Sequence, residues 1–241
     1  MVAAITPGLA IRGFTPPLRL ADFGLVAFDM DSTLIDIECV DEIAAEAGRK
    51  AEVAAITEAA MQGQFGGEIA DYKDSLRRRV ALLRGVPEPA LHAVYARLNL
   101  NPGVETFVQA CQAAGLKTLL VSGGFTFFAE RIRELLHLDF ARANVLEIEA
   151  GLLTGRMVDQ DWGDICDGEC KRTTLLDTCS RLGIKPSQAI AVGDGANDLP
   201  MMAAAGLSIA FHPKPAVREA AMLSILEGGM ERALEVIRPD L

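Results

Sequence analysis

Gly24-Leu25-Val26-Ala27-Phe28-Asp29-Met30-Asp31-Ser32-Thr33 opens as a short apolar run and ends on two carboxylates two residues apart. A run of this length with no polar alternation is the pattern of a strand buried on both faces, as in parallel sheets. Two carboxylates leaving such a strand repel each other unless a cation or a proton separates them. Mg²⁺ is one physical solution, because it takes oxygen ligands, keeps several waters and also touches substrate phosphate. A carboxylate that holds a metal and faces phosphorus can attack it to form an acyl phosphate. Its neighbour can then protonate the leaving oxygen and later deprotonate water. The plainer reading is a pair of acidic turn residues, since apolar strands often end in Asp.

Downstream, from about Glu38 to Asn99, apolar residues recur at helical spacing: Ile43, Ala44 and Ala47, then Val53 and Ile56, then Val80 and Leu83. Gly48, Gly63 and Gly85 punctuate them as C-terminal caps would. The segment reads as a small all-helical insertion, with the glycine-rich tract Gln62 to Asp71 as a flexible joint. After Asn101-Pro102-Gly103 the pattern alternates. A helix carrying Val104, Phe107, Val108 and Cys111 leads to a buried strand, Thr118 to Val121. Ser122-Gly123-Gly124 is expected to turn into a helix with Phe128, Ile132, Leu135 and Leu136. Ile148 to Met157 reads as a β-hairpin flap, followed by a helix through Leu175, Leu176, Cys179 and Leu182 and a strand from Ala189 to Val192. Leu207 to Phe211 and Leu223 to Leu226 add further strands. Such alternation predicts an α/β fold, a doubly wound parallel sheet whose ligands bind outside the carboxyl ends of its strands.

The remaining polar clusters fall at those ends. Ser122-Gly123-Gly124 offers a hydroxyl and unhindered backbone N–H groups, a natural phosphate cradle, although Gly-Gly turns are also common without one. Gly193-Asp194-Gly195-Ala196-Asn197-Asp198 brings two more carboxylates and an amide to another strand end, further oxygen ligands for a hard cation. A turn rich in Gly, Asp and Asn can equally be only a turn. Lys171, early in a helix, would neutralise a transferring phosphoryl group, or is an ordinary surface lysine.

Composition narrows the partners. The chain has 241 residues and a formal charge of −10, with no long basic run, which argues against a nucleic-acid partner. The short stretch Arg77-Arg78-Arg79 reads first as a solvated helix face. Five scattered cysteines make no disulfide framework, and Cys166 and Cys170 find no second Cys or His pair for a zinc site. No apolar run approaches the ~20 residues that span a bilayer, and Met1 to Arg19 lacks the apolar core of a signal peptide. The expectation is a cytoplasmic protein without membrane partners, monomeric or homodimeric.

Taken together, Asp29-Met30-Asp31-Ser32-Thr33-Leu34, Glu38-Cys39-Val40-Asp41-Glu42-Ile43-Ala44, Val121-Ser122-Gly123-Gly124-Phe125 and Val192-Gly193-Asp194-Gly195-Ala196-Asn197-Asp198 resemble the bacterial phosphoserine phosphatase family of the haloacid dehalogenase superfamily. The resemblance runs from about Leu25 to near the C-terminus. It implies a Rossmann-like core over residues 21–37 and 100–241, a helical cap over 38–99, and an N-terminal extension over 1–20. It implies hydrolysis of O-phospho-L-serine through an aspartyl phosphate, the last step of serine biosynthesis, with Mg²⁺ as cofactor. By the same resemblance Asp29 is the nucleophile and Asp31 the general acid/base. Asp29, Asp194 and the main-chain carbonyl of Asp31 hold the metal, with Asp198 in support. Ser122, Gly123 and Lys171 grip the phosphoryl group and Asn197 orients it. Glu38 receives the substrate ammonium and Arg79 its carboxylate, a bidentate clamp that suits arginine. The aromatic residue closing the pocket, usually Phe in the family, is Tyr72. Gln64 to Ile69 is longer than the family pattern, which leaves Arg77 as a rival to Arg79. The alternative substrate is another small phosphomonoester such as phosphohomoserine, hydrolysed or used in phosphotransfer. A phospho-accepting signalling domain is about half this length and lacks the second carboxylate, and an ion pump would need membrane spans.

Overall fold

A computed structural model describes residues 7–61 and 72–239. Along the chain run β1 (Leu9–Ile11), β2 (Leu18–Arg19), β3 (Leu25–Phe28), then the helices α1 (Cys39–Glu46), α2 (Lys50–Met61), α3 (Tyr72–Ala81), α4 (Pro89–Tyr95) and α5 (Val104–Ala113). There follow β4 (Lys117–Phe125), α6 (Thr126–Leu135), the hairpin β5 (Phe140–Glu149) and β6 (Leu152–Val158), and α7 (Gly168–Leu182). The chain closes with β7 (Ala189–Gly193), α8 (Leu199–Ala204), β8 (Leu207–Phe211), α9 (Pro215–Ala220), β9 (Leu223–Ile225) and β10 (Ile237–Arg238).

Eight strands form one sheet in the order β1-β9-β8-β7-β3-β4-β5-β6. Its six inner strands are parallel, while β1 and β6 pair antiparallel at the two edges. The apolar run that opens the case is the central strand β3, and all four of its residues are buried. Its side chains alternate as the pleat demands. Val26 and Phe28 enter the cluster with Phe107 of α5 and Phe128 of α6, and Phe28 meets Phe107 edge-on at 6.1 Å. Leu25 and Ala27 face the opposite layer, with Leu175 of α7, Met201 and Met202 of α8, and Val217 of α9. Helices on both faces make the doubly wound fold that the sequence predicts. Register then aligns the strand ends: Phe28 lies beside both Leu120 and Val192. Asp29, Ser122 and Asp194 therefore lie on the carboxyl-terminal side of these paired positions.

Two local expectations change. Ser122-Gly123-Gly124 does not turn into a helix; β4 continues through Phe125 and α6 begins at Thr126. The backbone instead shifts register against β5 between Val121 and Phe125 and passes close to the loop after β3. A Cβ on Gly124 would lie 2.8 Å from Met30 Cε, so glycine here marks a close approach rather than a stop. The hairpin starts earlier than Ile148, because β5 first pairs with β4 and only then with β6. Its tip, Ala150-Gly151, has positive φ at both residues (50° and 76°), the geometry of a tight two-residue turn. The N-terminal stretch also contributes order that its composition does not suggest. Leu9 and Ile11 are buried, and β1 covers the edge strand β9.

Among the described residues, the helices α1 to α4 lie between β3 and α5. Gly48 (φ 69°) and Gly85 (φ 82°) lie in the left-handed region that suits helix ends. Gly63, the tract 62–71 and the longer stretch 64–69 lie outside the described residues. No helix of the described residues is long and apolar enough to cross a membrane.

Candidate active site

The site grows from the end of β3. Asp29 is buried and its Oδ1 lies 2.7 Å from Lys171 Nζ, which lies 2.7 Å from Asp198 Oδ1 as well. Lys171 stands in the first turns of α7 and has no exposed surface. It is no surface lysine. Burial alone would lower its pKa, but the Asp198 and Asp29 carboxylates outweigh it and hold the ammonium charged well above its ordinary range. Asp29 is pushed up by burial and by Asp198, with Lys171 opposing.

Asp198 is committed to the protein on both oxygens. Oδ1 accepts from Lys171, and Oδ2 accepts the backbone N–H groups of Asp194 (3.1 Å) and Gly195 (3.0 Å). That loop closes tightly enough to require glycine: a Cβ on Gly193 would sit 2.3 Å from Asp198 Oδ2. Asp194, at the same strand end, points its Oδ2 to Lys214 Nζ at 3.4 Å. Burial pushes Asp194 up to about 6, with Lys214 opposing and Asp198 adding to the rise.

Oxygens of Asp29, Asp194 and Asp198 lie within 4.8 Å of one another, a donor set of the hard kind that divalent cations take. A second observation fits a cation and a phosphate here. Asp31 Oδ1 is buried without a hydrogen-bond partner among the described residues, while its Oδ2 accepts the Cys39 N–H at 3.0 Å. Burial, then the nearby Glu38 carboxylate, push Asp31 up to about 7, a range in which a carboxyl group can both give and take a proton.

Beside them lies the cradle. The Ser122 hydroxyl accepts the Gly124 N–H at 2.9 Å, and Asn144 Nδ2 donates to the Gly123 carbonyl at 2.8 Å. A side chain at 124 would come within 3.3 Å of Asp31 Oδ1, and a Cβ at 123 would meet the Tyr72 hydroxyl at 1.8 Å. Glycine at both positions lets these groups close on the backbone. Tyr72, at the start of α3, thus brings its hydroxyl from the inserted helices onto the cradle, and burial pushes its pKa up.

The other sequence candidates stand around this centre. Glu38, at the N-terminus of α1, accepts the Ser32 hydroxyl at 2.8 Å, and its charge is felt at Asp31, Asp194 and Lys214. Asn197 lies in the Asp194–Asp198 loop, with its Oδ1 2.6 Å from where a Cβ on Gly195 would be. The three arginines of α3 part company. Arg77 is bound to Asp164, and Arg78 Nε pairs with Asp74 at 2.8 Å. Arg79 is half-buried, and its buried Nε has no partner among the described residues. Sequence reasoning did not single out Lys214, which follows β8 in His212-Pro213-Lys214-Pro215. The strand-end rule that found the other clusters would have reached it.

The chain belongs to the haloacid dehalogenase-like hydrolases, whose family model matches residues 23–206. Within that class it is similar to the phosphoserine phosphatase of Polaromonas sp. strain JS666, 67% identical over 97% of this chain and 98% of that one. Two solved structures share its fold at a TM-score of 0.81 with 36% identity, covering 90% of this chain and 99% of theirs: a phospho-aspartyl intermediate analogue of phosphoserine phosphatase and a substrate-bound phosphoserine phosphatase complex.

Replacing Asp198 tests how the site is braced. Asp198→Ala removes one of the two carboxylates on the buried Lys171 ammonium and strands two buried N–H groups, which should cost about 2–4 kcal/mol of folding stability. Urea denaturation followed by circular dichroism measures it, and a loss under about 1 kcal/mol would show that the brace is dispensable.

Proposed function

We infer that this protein is a phosphoserine phosphatase, hydrolysing O-phospho-L-serine to L-serine and phosphate through an aspartyl phosphate. The observation that carries the reading is the buried Asp29–Lys171–Asp198 cluster beside the Ser122-Gly123-Gly124 stretch, together with an Arg79 Nε that is buried without a partner among the described residues. Asp29, Asp194 and the main-chain carbonyl of Asp31 would hold Mg²⁺, which, when bound, offsets the charge of carboxylates and phosphate crowded together.

The chain's own groups divide the chemistry. An Asp29 oxygen attacks phosphorus, forming a P–O bond as the bond to the serine oxygen breaks. Asp31 gives its proton to that leaving oxygen, then takes one from the water that attacks the aspartyl phosphate. Lys171 balances charge on the transferring phosphoryl group. Ser122 and the Gly123 N–H bind the phosphoryl oxygens, and Asn197 orients them. Asp198, with both oxygens spent, acts as a brace rather than a ligand. Glu38 and Arg79 complement the ammonium and carboxylate of an amino acid, with the Tyr72 hydroxyl beside the cradle. We place the cap at residues 38–99, the core at 21–37 and 100–241, and the extension at 1–20. A cytoplasmic location agrees with five unpaired cysteines and a serine-biosynthetic role. The substrate reading is tested by kcat/KM across phosphorylated amino acids and sugars. A clear preference for phosphohomoserine or a sugar phosphate over phosphoserine would overturn it.

Asp29→Asn should abolish steady turnover with the fold intact, because an amide neither attacks phosphorus nor balances the metal charge. Beryllium fluoride should occupy Asp29; label from substrate on another residue would assign the nucleophile elsewhere.

Chelator should remove activity and Mg²⁺ restore it. Mg²⁺ should also raise the melting temperature, since a ligand bound only by the native state stabilises it. Asp194→Asn should lose most of that thermal shift, and full activity in excess chelator would exclude a metal requirement.

Arg79→Ala should lower kcat/KM for phosphoserine roughly 30- to several-thousand-fold, the effect of losing a charged partner worth about 2–5 kcal/mol. It should barely change hydrolysis of phosphoethanolamine, which has no carboxylate. Arg77→Ala should be mild with both substrates. Equal damage by Arg79→Ala on both would assign that arginine to the fold or the phosphate.

A further inference from the structure

Cys166 and Cys170 have no part in this chemistry, yet they frame the turn that carries Lys171. Cys166 is fully buried just before Asp167, the residue that caps α7. Its N–H donates to Asn144 Oδ1 at 2.8 Å, and through Asn144 it is tied to Gly123 of the cradle. Cys170 lies in the first turn of α7, half-exposed, with its N–H donated to Asp167 Oδ1 at 2.9 Å. The two side chains pack in the same cluster, Cys166 within it and Cys170 against its edge. Thr174 Oγ1 stands 4.0 Å from Cys170 Sγ and accepts Arg142 Nη1 at 2.9 Å. A thiol at a helix N-terminus, beside a guanidinium and a second thiol, is the setting that favours thiolate. Its neighbours, the Cys166 thiol first, then Thr174 and Arg142, bring Cys170 down to about 7 against the effect of burial. The neighbouring Cys170 thiol, with burial behind it, pushes Cys166 well up. One thiol is thus accessible and nucleophilic; the other is sheltered within its reach.

We propose that Cys166 and Cys170 are an oxidation site for hydroperoxides, closing to an intramolecular disulfide that switches the phosphatase off. The Cys170 thiolate sulfur attacks a peroxide oxygen. The O–O bond breaks and the departing alkoxide or hydroxide takes a proton, leaving a sulfenic acid. The Cys166 sulfur, giving up its proton, displaces the sulfenic oxygen as water and forms the S–S bond. Two thiols lose two electrons and two protons, and the peroxide becomes an alcohol or water plus one further water. Closing the bond draws the sulfurs to about 2.0 Å. Asn144 anchors Cys166, so the first turn of α7 is the part that moves. Lys171 follows Cys170 directly, and its ammonium must stay 2.7 Å from both Asp29 and Asp198. A displacement of about 1 Å in such a group costs about a hundredfold in rate.

The full-length protein is treated with hydrogen peroxide, its remaining thiols are alkylated, and its peptides are mapped by mass spectrometry beside an activity assay on a phosphomonoester it hydrolyses. The expected product is a Cys166–Cys170 cross-linked peptide, lighter by two hydrogens. Activity should fall in step with the cross-linked fraction, about a hundredfold in the oxidised molecules, and return with dithiothreitol. Cys170→Ser should keep its starting activity and resist peroxide. The cross-link is read without reference to substrate, so a wrong substrate assignment would not disguise its absence. Three results would overturn the proposal: inactivation without that peptide, a disulfide that leaves activity unchanged, or Cys170→Ser losing activity as fast as the wild type.

Discussion

An ammonium with no exposed surface sits between two buried carboxylates, and much of the molecule is arranged so that Lys171 can stay there. Burying one charge without a partner costs several kcal/mol, and a buried pair repays that only when its remaining polar atoms are also satisfied. The chain meets this condition with its backbone. The loop after β7 turns two N–H groups onto Asp198, and Gly193 leaves the space that the carboxylate occupies. Asp29 is brought to the lysine from the neighbouring strand by the parallel register of β3 and β7. Three carboxylates gathered at one place, two of them on the buried ammonium, still leave an excess of negative charge, which Lys214 reaches only at Asp194, at 3.4 Å. Such an excess suits a divalent cation, which would also ease the approach of an anionic phosphate ester to carboxylates.

Periodicity and strand ends made the core legible. Leu25 to Phe28 has no polar residue, which only a strand buried on both faces tolerates, and β7 and β8 carry the same mark. Register then placed the clusters that follow them at one edge, so that residues far apart in sequence were readable as one site. Ser122-Gly123-Gly124 was harder because glycine has two meanings. Local rules take Gly-Gly as a turn, whereas here it lets a continuing strand pass Met30 and Tyr72. The edge strand β1 was hidden for a different reason: three residues carry too little pattern, and what orders them is the exposed edge of β9.

The arginines of α3 show the limit of sequence most clearly. Arg77, Arg78 and Arg79 are adjacent and chemically identical, so spacing alone leaves Arg77 and Arg79 as rivals. The structure separates them by what each already holds. Asp164 lies far along the chain and is brought beside α3 by folding, where it takes Arg77. Asp74 takes Arg78 from the preceding turn of the same helix. A guanidinium spent on a surface carboxylate has little left to offer a substrate; one whose buried Nε is unsatisfied is costly unless something fills its place.

This separates chemistry from choice in the fold. The groups proposed to act on phosphorus come from strand ends and the head of α7, between the two layers of the core. Those proposed to distinguish one ester from another, Glu38, Tyr72 and Arg79, come from the cap of α1 and from α3, outside the sheet. Rigid placement is needed where a bond must form in line and where like charges must be kept apart. It is not needed, and would obstruct entry, where a ligand has to arrive and leave. The Tyr72 hydroxyl lying on Gly123 joins the two parts: the helices between β3 and α5 touch the core at the glycine proposed to bind a phosphoryl oxygen, which ties the entry of a substrate to the place where its phosphate would be held.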